Sequence, residues 1–296
     1  MSEPAQRIAP AAAGPNGRPT APARARAILY VSTFQFSGST ALSFVLNAHP
    51  GFATIGHTTG WNWSEGEDFR CSCGAPLQDC PLYSRIARVV HEAGLPFDFR
   101  DFHTEFKLIG SERVNRYLTG GLPRLQSSRL EHLRDRCVDR VPGCHRALIA
   151  HREINRLLMR TVLDYRGASV YVDNSHDPYR LRHLKGLGEM ALINLHLVRD
   201  PRGVVWSCIK NAGWSAQMAV GAWLRRQADI IRIGREFPEG LVVLYEDLCD
   251  ATDATLARIH RRCGLEPEPF DGNLRTHEHH ILGNDMRLRS ATLKLD

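Results

Sequence analysis

Apolar positions first fall into order at Ala27. The run Ala27-Ile28-Leu29-Tyr30-Val31-Ser32 is short, apolar and rich in β-formers, and it predicts a buried strand. The polar turn Thr33 to Thr40 follows, then a helical stretch from Ala41 to Asn47 that His49-Pro50-Gly51 ends. From about Thr58 to Cys80 the chain is rich in Gly, Trp and Cys and has no period, so an insertion or lid is expected there, bounded at about 58–85. Amphipathic helical spacing returns around Arg124–Cys137 and His145–Asp164. Ser169 to Asp173 and Met190 to Val198 predict two further core strands. Asp200-Pro201 opens a helix, with the Asp as N-cap and the Pro at the first helical position. Trp214 to Ile233 predicts another helix, Leu241 to Tyr245 another strand, and the stretch to Cys263 a last helix. Strands alternating with helices predict an α/β fold with a parallel sheet covered on both faces. No internal repeat is visible.

Composition narrows this picture. The chain has 296 residues, 43% hydrophobic and 24% charged, which is ordinary for a soluble globular protein. Residues 1–26 are rich in Ala, Pro, Gly and Arg and lack the apolar core of a secretory signal, so they read as a disordered tail before one domain over 27–296. No window approaches the ~18 consecutive apolar residues of a membrane helix. The formal charge of +6 is scattered rather than clustered, which fits modest attraction for anionic ligands and no nucleic-acid partner. Eight cysteines are too few for a disulfide scaffold at this length, so a reducing, cytoplasmic setting is expected.

Two stretches carry candidate chemistry. Strand, small polar turn and helix together make an anion site, because the first N–H groups of a helix lack intrahelical partners and the helix dipole adds positive potential there. In the turn Phe36-Ser37-Gly38-Ser39-Thr40, Gly38 lets the backbone approach a ligand and the hydroxyls can donate to phosphate or sulfate oxygens; plain loop chemistry is the bland alternative. It is not a Walker A loop, which needs Gly, four residues, then Gly-Lys-Ser/Thr. The second stretch is Leu195-His196-Leu197-Val198-Arg199-Asp200-Pro201 and the helix after it. Arg199 ends a buried strand, where open α/β sheets bind ligands. Ser207 follows eight residues on, and the two can hold one phosphate by a charge-assisted pair plus a hydroxyl donor. Pairing of Arg199 with a carboxylate and packing of Ser207 is the alternative reading.

Together these stretches resemble the sulfotransferase superfamily that uses 3′-phosphoadenosine 5′-phosphosulfate (PAPS), in its bacterial and carbohydrate-type branch. The resemblance implies a P-loop-like three-layer fold, a central parallel sheet flanked by helices, with a Cys-containing insertion. It implies that Phe36 to Thr40 bind the donor's 5′-phosphosulfate and that Arg199 and Ser207 bind its 3′-phosphate. Leu46-Asn47-Ala48-His49-Pro50, Cys71-Ser72-Cys73-Gly74 with Asp79-Cys80-Pro81, and Val243-Leu244-Tyr245-Glu246-Asp247-Leu248 look like that branch too. So does His280-Ile281-Leu282-Gly283-Asn284-Asp285-Met286-Arg287, whose Gly283, Asn284 and Arg287 match a loop over the 3′-phosphate. Three positions depart from the pattern. Phe36 stands where relatives carry Lys or Arg. Asp173-Asn174-Ser175-His176 has His where many have Lys. Gly56-His57 replaces a frequent Gly-Glu.

What the resemblance implies is a transferase moving a sulfuryl group in line from PAPS, with 3′,5′-adenosine bisphosphate (PAP) as product, to a hydroxyl or amine of a small-molecule or carbohydrate acceptor. By analogy with phosphoryl transfer, the protein mainly positions the partners and stabilises charge. His57 is the first candidate for the base, since its unperturbed pKa of ~6.5 suits proton removal at neutral pH. His176 is the second group: protonated, it would replace the missing Lys at the leaving oxygen; neutral, it would itself be a base, or it only caps the helix near Asp177. Trp61, Trp63 and Trp214 are expected to pack in the core, with an acceptor-binding role the alternative for Trp61 and Trp63 in the lid. Cys71, Cys73 and Cys80 read as a knot of buried thiols or a disulfide, with no metal expected; zinc with His57 or Cys144 as fourth ligand is the weaker alternative, and it would deny His57 the role of base. Two other functions stay open. One is a PAPS- or PAP-binding protein that has lost catalysis. The other is a P-loop-like kinase or other nucleotide phosphotransferase, with Asp173 holding Mg²⁺, which the absent Gly-Lys-Ser/Thr run disfavours.

Overall fold

The fold is built around one strand, β1 (Ala27–Ser32), which is buried along its whole length. The computed structural model describes residues 26–59, 70–122, 127–273 and 279–280. Of the expected tail at 1–26, residues 1–25 lie outside the described residues, as do Trp61, Trp63, Gly283, Asn284 and Arg287. After β1 come α1 (Ser39–Ala48), the two-residue β2 (Phe52–Ala53), α2 (Pro81–Glu92), α3 (Glu112–Thr119), α4 (Ser128–Arg140) and α5 (Pro142–Arg166). Then follow β3 (Val170–His176), α6 (Pro178–Leu184), β4 (Ala191–Val198), α7 (Pro201–Ala212), α8 (Ala216–Gly234), β5 (Leu241–Leu244), α9 (Tyr245–Asp250) and α10 (Thr252–Arg262).

The five strands pair in the order β2-β3-β1-β4-β5, and each pairing is parallel. Side chains alternate along β1, so its two faces feed different cores. Ala27, Leu29 and Val31 pack with Leu42, Leu46 and Phe44 of α1 and with Leu256 and Ile259 of α10. Ile28 and Tyr30 pack with Leu158, Val162, Ile86 and Leu181 from α5, α2 and α6. The result is the three-layer, helix–sheet–helix arrangement expected from the sequence. Ile28, Leu29 and Val31 are 0% exposed, and burying each such side chain stabilises by roughly 1.5–3 kcal/mol.

Most expected elements are present with shifted ends. α1 starts two residues earlier than the apolar pattern, at Ser39, directly after Gly38. The single helix expected between the last strand and Cys263 is two helices, α9 and α10, broken at Ala251. α2 occupies 81–92, overlapping the end of the expected insertion, and buries Leu82, Tyr83, Ile86, Ala87 and Val90. Pro81 at its first position starts it. Among the described residues no helix is long and apolar enough to cross a membrane.

Sheet order decides where a ligand sits. The chain leaves β1 toward β2 on one side and leaves β4 toward β5 on the other, so the crevice at their carboxyl ends is the topological switch point. The turn after β1 and Arg199 after β4 both emerge there.

Candidate functional site

Two adjacent strands carry the site. Ser32 Oγ donates to Asn194 Oδ1 at 2.7 Å and Thr33 Oγ1 donates to the Leu197 carbonyl at 2.8 Å, which fastens the start of the turn to β4. Phe36 and Gly38 both hold positive φ, 60° and 87°. Gly38 is the N-cap of α1 and no side chain caps that end. The free N–H groups at the start of the ten-residue helix therefore face the crevice with the positive end of its dipole. Ser37 is buried, and its hydroxyl has no hydrogen-bond partner among the described residues. A buried, unpartnered hydroxyl beside a helix N-terminus suits an anionic oxygen as acceptor. Thr40 is half-buried on the first turn of the same helix.

Arg199 closes onto this turn. Its Nη1 donates to the Phe36 carbonyl at 3.1 Å, and its guanidinium lies over the Tyr245 ring, 4.6 Å from the centroid. The left-handed backbone at Phe36 aims that carbonyl at the arginine. Tyr245 in turn covers Gly38: a Cβ built there would come within 2.2 Å of the ring. Gly203, on the first turn of α7, leaves room for the Arg199 Nε, which lies 3.3 Å from where a Cβ would stand. Ser207 is one turn further along the same face and donates to the Gly203 carbonyl at 2.9 Å. Turn and guanidinium thus meet where β1 and β4 end, and Ser207 lies on the helix that follows Arg199. A cavity of about 300 Å³ opens beside them, lined by Arg199, Gly203, Tyr245, Glu246 and Cys249 among others.

Only glycine suits position 38. Gly38→Ala combines a left-handed φ, about 1–2 kcal/mol for other residues, with overpacking against Tyr245, about 1–3 kcal/mol. We expect a loss of roughly 2–5 kcal/mol in urea unfolding. A loss below about 0.5 kcal/mol would mean that the ring and the turn part freely.

The two histidines meet. The His57 and His176 rings lie edge to face with centroids 4.7 Å apart. His57 follows Gly56, whose φ of +85° turns the chain after β2. His176 ends β3 with φ +65°, and its Nε2 is 2.7 Å from Ser39 Oγ and 3.1 Å from Asn174 Oδ1. Ser39 thus links the turn to the histidine pair. Burial pushes the His57 imidazole below its usual range, partly offset by the Asp173 carboxylate. Burial, then His57, then Arg226, push His176 well below it. Neutral at physiological pH, His176 lacks the charge that a stand-in for the absent lysine would need.

Three residues that the pattern did not flag shape the site. Tyr245 reads as a strand end, yet its ring is the platform for Arg199. Arg226, on α8, donates to Asp177 Oδ1 at 3.1 Å and is the guanidinium whose charge reaches His176. Arg180 is buried and pairs with Asp173 Oδ2 at 3.1 and 3.2 Å. Ser175 Oγ and its backbone N–H donate to the other oxygen of Asp173. The Asp173 carboxylate, assigned to Mg²⁺ in the phosphotransferase reading, is fully engaged inside the protein and 0% exposed. Trp214 packs against a small apolar cluster of Phe34, Val204 and Cys208, the core role expected for it.

The cysteines of the insertion also converge, and their fourth neighbour is His279 rather than His57 or Cys144. All eight cysteines are free thiols.

Superposition on solved structures places the fold. The sulfotransferase domain from the curacin biosynthetic pathway aligns with 93% of this chain and 89% of its own, with a TM-score of 0.52 at 15% identity. The chain has the sulfotransferase fold. Other similar structures are the sulfotransferase domain of the Synechococcus PCC 7002 olefin synthase, with TM-score 0.47, 18% identity, and 90% and 80% of the two chains covered. Sulfotransferase STF9 from Mycobacterium avium has TM-score 0.42, 13% identity, and 90% and 68% covered. No protein-family model matches the sequence, and no curated protein sequence matches it.

Proposed function

We infer that the protein is a sulfotransferase that takes its sulfuryl group from PAPS and passes it to a hydroxyl or amine of a small-molecule or carbohydrate acceptor. One observation carries this reading: on a sulfotransferase fold, the uncapped turn Phe36–Thr40 and the Arg199 guanidinium meet at the carboxyl ends of β1 and β4. One nucleotide with two anionic ends fits such a pair of grips. The N–H groups at the start of α1, with the Ser37 and Thr40 hydroxyls, take the 5′-phosphosulfate. Arg199 takes the 3′-phosphate, with Ser207 turning its hydroxyl from the Gly203 carbonyl to the ligand. Gly283, Asn284 and Arg287 are assigned to the same phosphate from their motif.

In the transfer step, the acceptor oxygen attacks sulfur as the bond from sulfur to the bridging phosphate oxygen breaks. The acceptor's proton goes to neutral His57, and PAP leaves. Burial keeps His57 neutral, while His176 packs against its ring and holds the Ser39 hydroxyl. Since Phe36 offers no cation and His176 is neutral, negative charge on the leaving phosphate falls to the N–H groups of α1, with Arg226 a guanidinium whose charge reaches His176.

The test begins with calorimetry and thermal shift using PAP, ATP and GTP. PAP binding should raise the midpoint by mass action while ATP and GTP do so far less. Arg199→Ala should weaken PAP by about 10- to 150-fold, the worth of a charge-assisted hydrogen bond of ~1.5–3 kcal/mol, with an unchanged circular dichroism spectrum. Unaltered PAP affinity in that variant would remove Arg199 from the site. A second reading, a PAP-binding protein without turnover, rests on Phe36 and neutral His176 leaving no side-chain cation of the usual kind in the turn. PAP release on a broad acceptor panel separates the two.

A further inference from the structure

We propose that the protein binds one structural Zn²⁺ through Cys71, Cys73, Cys80 and His279. The proposal does not depend on the donor nucleotide. It rests on four donor atoms from three separate parts of the chain that meet at one point. The Sγ atoms of the three cysteines and one ring nitrogen of His279 all lie within 4.8 Å of one another. Cys73 and Cys80 sulfurs are 3.9 Å apart, and His279 Nδ1 is 3.5 Å from Cys71 Sγ and 3.1 Å from Cys80 Sγ. With Zn–S of about 2.3 Å and Zn–N of about 2.0–2.1 Å, a tetrahedral site has sulfur–sulfur edges near ~3.8 Å and sulfur–nitrogen edges near ~3.6 Å. The cluster already has nearly those edges.

A disulfide explains less. It needs sulfurs about 2.05 Å apart, and it would employ two of the four groups and leave a thiol and an imidazole aimed at the bond. A simple apolar knot of thiols gives no reason for an imidazole nitrogen to point among three sulfurs. Three thiolates and one imidazole are the ligands that structural zinc sites use, with no open position for water or substrate.

The backbone on each side is arranged to hold these donors. Cys71 to Gly74 form a tight turn: Gly74 N–H donates to the Cys71 carbonyl at 2.8 Å, with Gly74 at φ +90°, and Cys71 N–H donates to the Ala75 carbonyl at 2.9 Å. That turn brings the first two sulfurs together. Cys80 is the N-cap residue of α2, held by Pro81 at the first helical position. His279 is fixed from two directions. Tyr83 Oη donates to its carbonyl at 2.8 Å, and the Tyr165 ring meets its imidazole edge-on at 5.3 Å. Next to it, Ser72 and His280 exchange two hydrogen bonds: Ser72 N–H donates to the His280 carbonyl at 3.0 Å, and His280 N–H to Ser72 Oγ at 2.9 Å.

The ion would therefore close a loop of about two hundred residues, where loop-closure constraint is large. It would fasten the insertion to a C-terminal segment that also meets α1, through Asn47 Nδ2 at 3.2 Å from His280 Nε2 and the Phe44 ring at 4.5 Å. On binding, each thiol gives its proton to solvent and no electrons move. Because the fourth ligand is His279, His57 stays free to accept a proton elsewhere.

The experiment uses the full chain, purified under reducing conditions from zinc-supplemented cells without chelator. Elemental analysis should find about one zinc per chain, and a thiol-modifying mercurial should release it to a colorimetric chelator. Replacement by Co²⁺ should give the visible bands of a tetrahedral thiolate site. Cys73→Ser changes the exposed ligand and so perturbs folding least; it should weaken zinc by at least the ~10–100-fold that changes outside the ligand shell produce. His279→Cys should keep stoichiometric zinc and move the Co²⁺ spectrum to that of a four-thiolate site. Three results would overturn the proposal: a wild-type chain that stays metal-free after reconstitution with Zn²⁺, a Cys73–Cys80 disulfide found by mass spectrometry in anaerobically purified protein, or a Co²⁺ spectrum identical in His279→Cys and wild type. If Cys73→Ser does not fold, the His279→Cys comparison still decides.

Discussion

His57→Ala is expected to lower turnover by ~10²–10⁴-fold, the usual contribution of a positioned general base, while PAP affinity stays within a few-fold of wild type. The geometry behind this is the edge-to-face pair with His176 at 4.7 Å and the half-buried setting after the Gly56 turn. Burial lowers the pKa of His57, with Asp173 acting in opposition, so the imidazole remains neutral to below its unperturbed ~6.5. The sign for the pH profile follows. A base must be unprotonated, so kcat/KM should be flat above about pH 6.5 and fall on the acid side as His57 takes its proton. The same shifts act on stability. Both histidines bind protons more readily when unfolded, so the stability they contribute is full above the unfolded pKa and is lost as pH falls from about 6.5 through their lower folded values. The assay is steady-state PAP release across pH for wild type and variant. A His57→Ala enzyme with full activity and an unchanged acid limb would exclude His57 as the base.

Much of the scaffold was legible because burial leaves a clear trace in sequence. The apolar run at 27–32 and the Asp200-Pro201 start of α7 have local causes, a fully buried strand and an N-cap whose side chain accepts from Arg202 N–H at 2.8 Å. The two-residue β2 is too short to show a period, and its pairing with β3 depends on a distant partner. α2 was not anticipated just after the patternless stretch to Cys80, although Pro81 followed by Leu82, Tyr83, Ile86, Ala87 and Val90 carries helical spacing. Ser37 to Thr40 and Arg199 could be picked out singly; that they adjoin is a consequence of β1 and β4 being neighbours. Tyr245 and His279 were beyond reach for a related reason. Each acts through a partner far away in sequence, Arg199 in one case and three cysteines about two hundred residues earlier in the other, and no local pattern encodes such a meeting. Arg180 and Arg226 lie in helices, where arginine ordinarily faces water, so neither stood out from the other arginines of the chain.

Arg180→Met is expected to destabilise the protein by about 3–5 kcal/mol, the cost of leaving one partner of a buried ion pair uncompensated. Arg180 and Asp173 are 4% and 0% exposed at their side chains. The guanidinium also donates to the Thr104 carbonyl at 2.7 Å and to Asn155 Oδ1 at 2.5 Å, so it joins β3, α5 and the 101–106 segment around one charge. Burial depresses its pKa, but the charge and hydrogen bond of Asp173, together with Tyr30 and Tyr171, hold it above the usual arginine value. Asp173→Asn with Arg180→Met should recover part of the loss, because it removes the stranded carboxylate as well. Urea unfolding of the two single variants and the double variant measures the coupling; an Arg180→Met loss below about 1 kcal/mol would mean that water or another donor already serves Asp173. The pair also reaches the candidate base. Asp173 is the charge that opposes the depression of His57, and Arg180 neutralises much of it. Removing Arg180 should therefore raise the His57 pKa and move the acid limb of the kcat/KM profile to higher pH. A variant that lost stability while its acid limb stayed in place would separate the ion pair from the histidines and confine Asp173 to holding the fold.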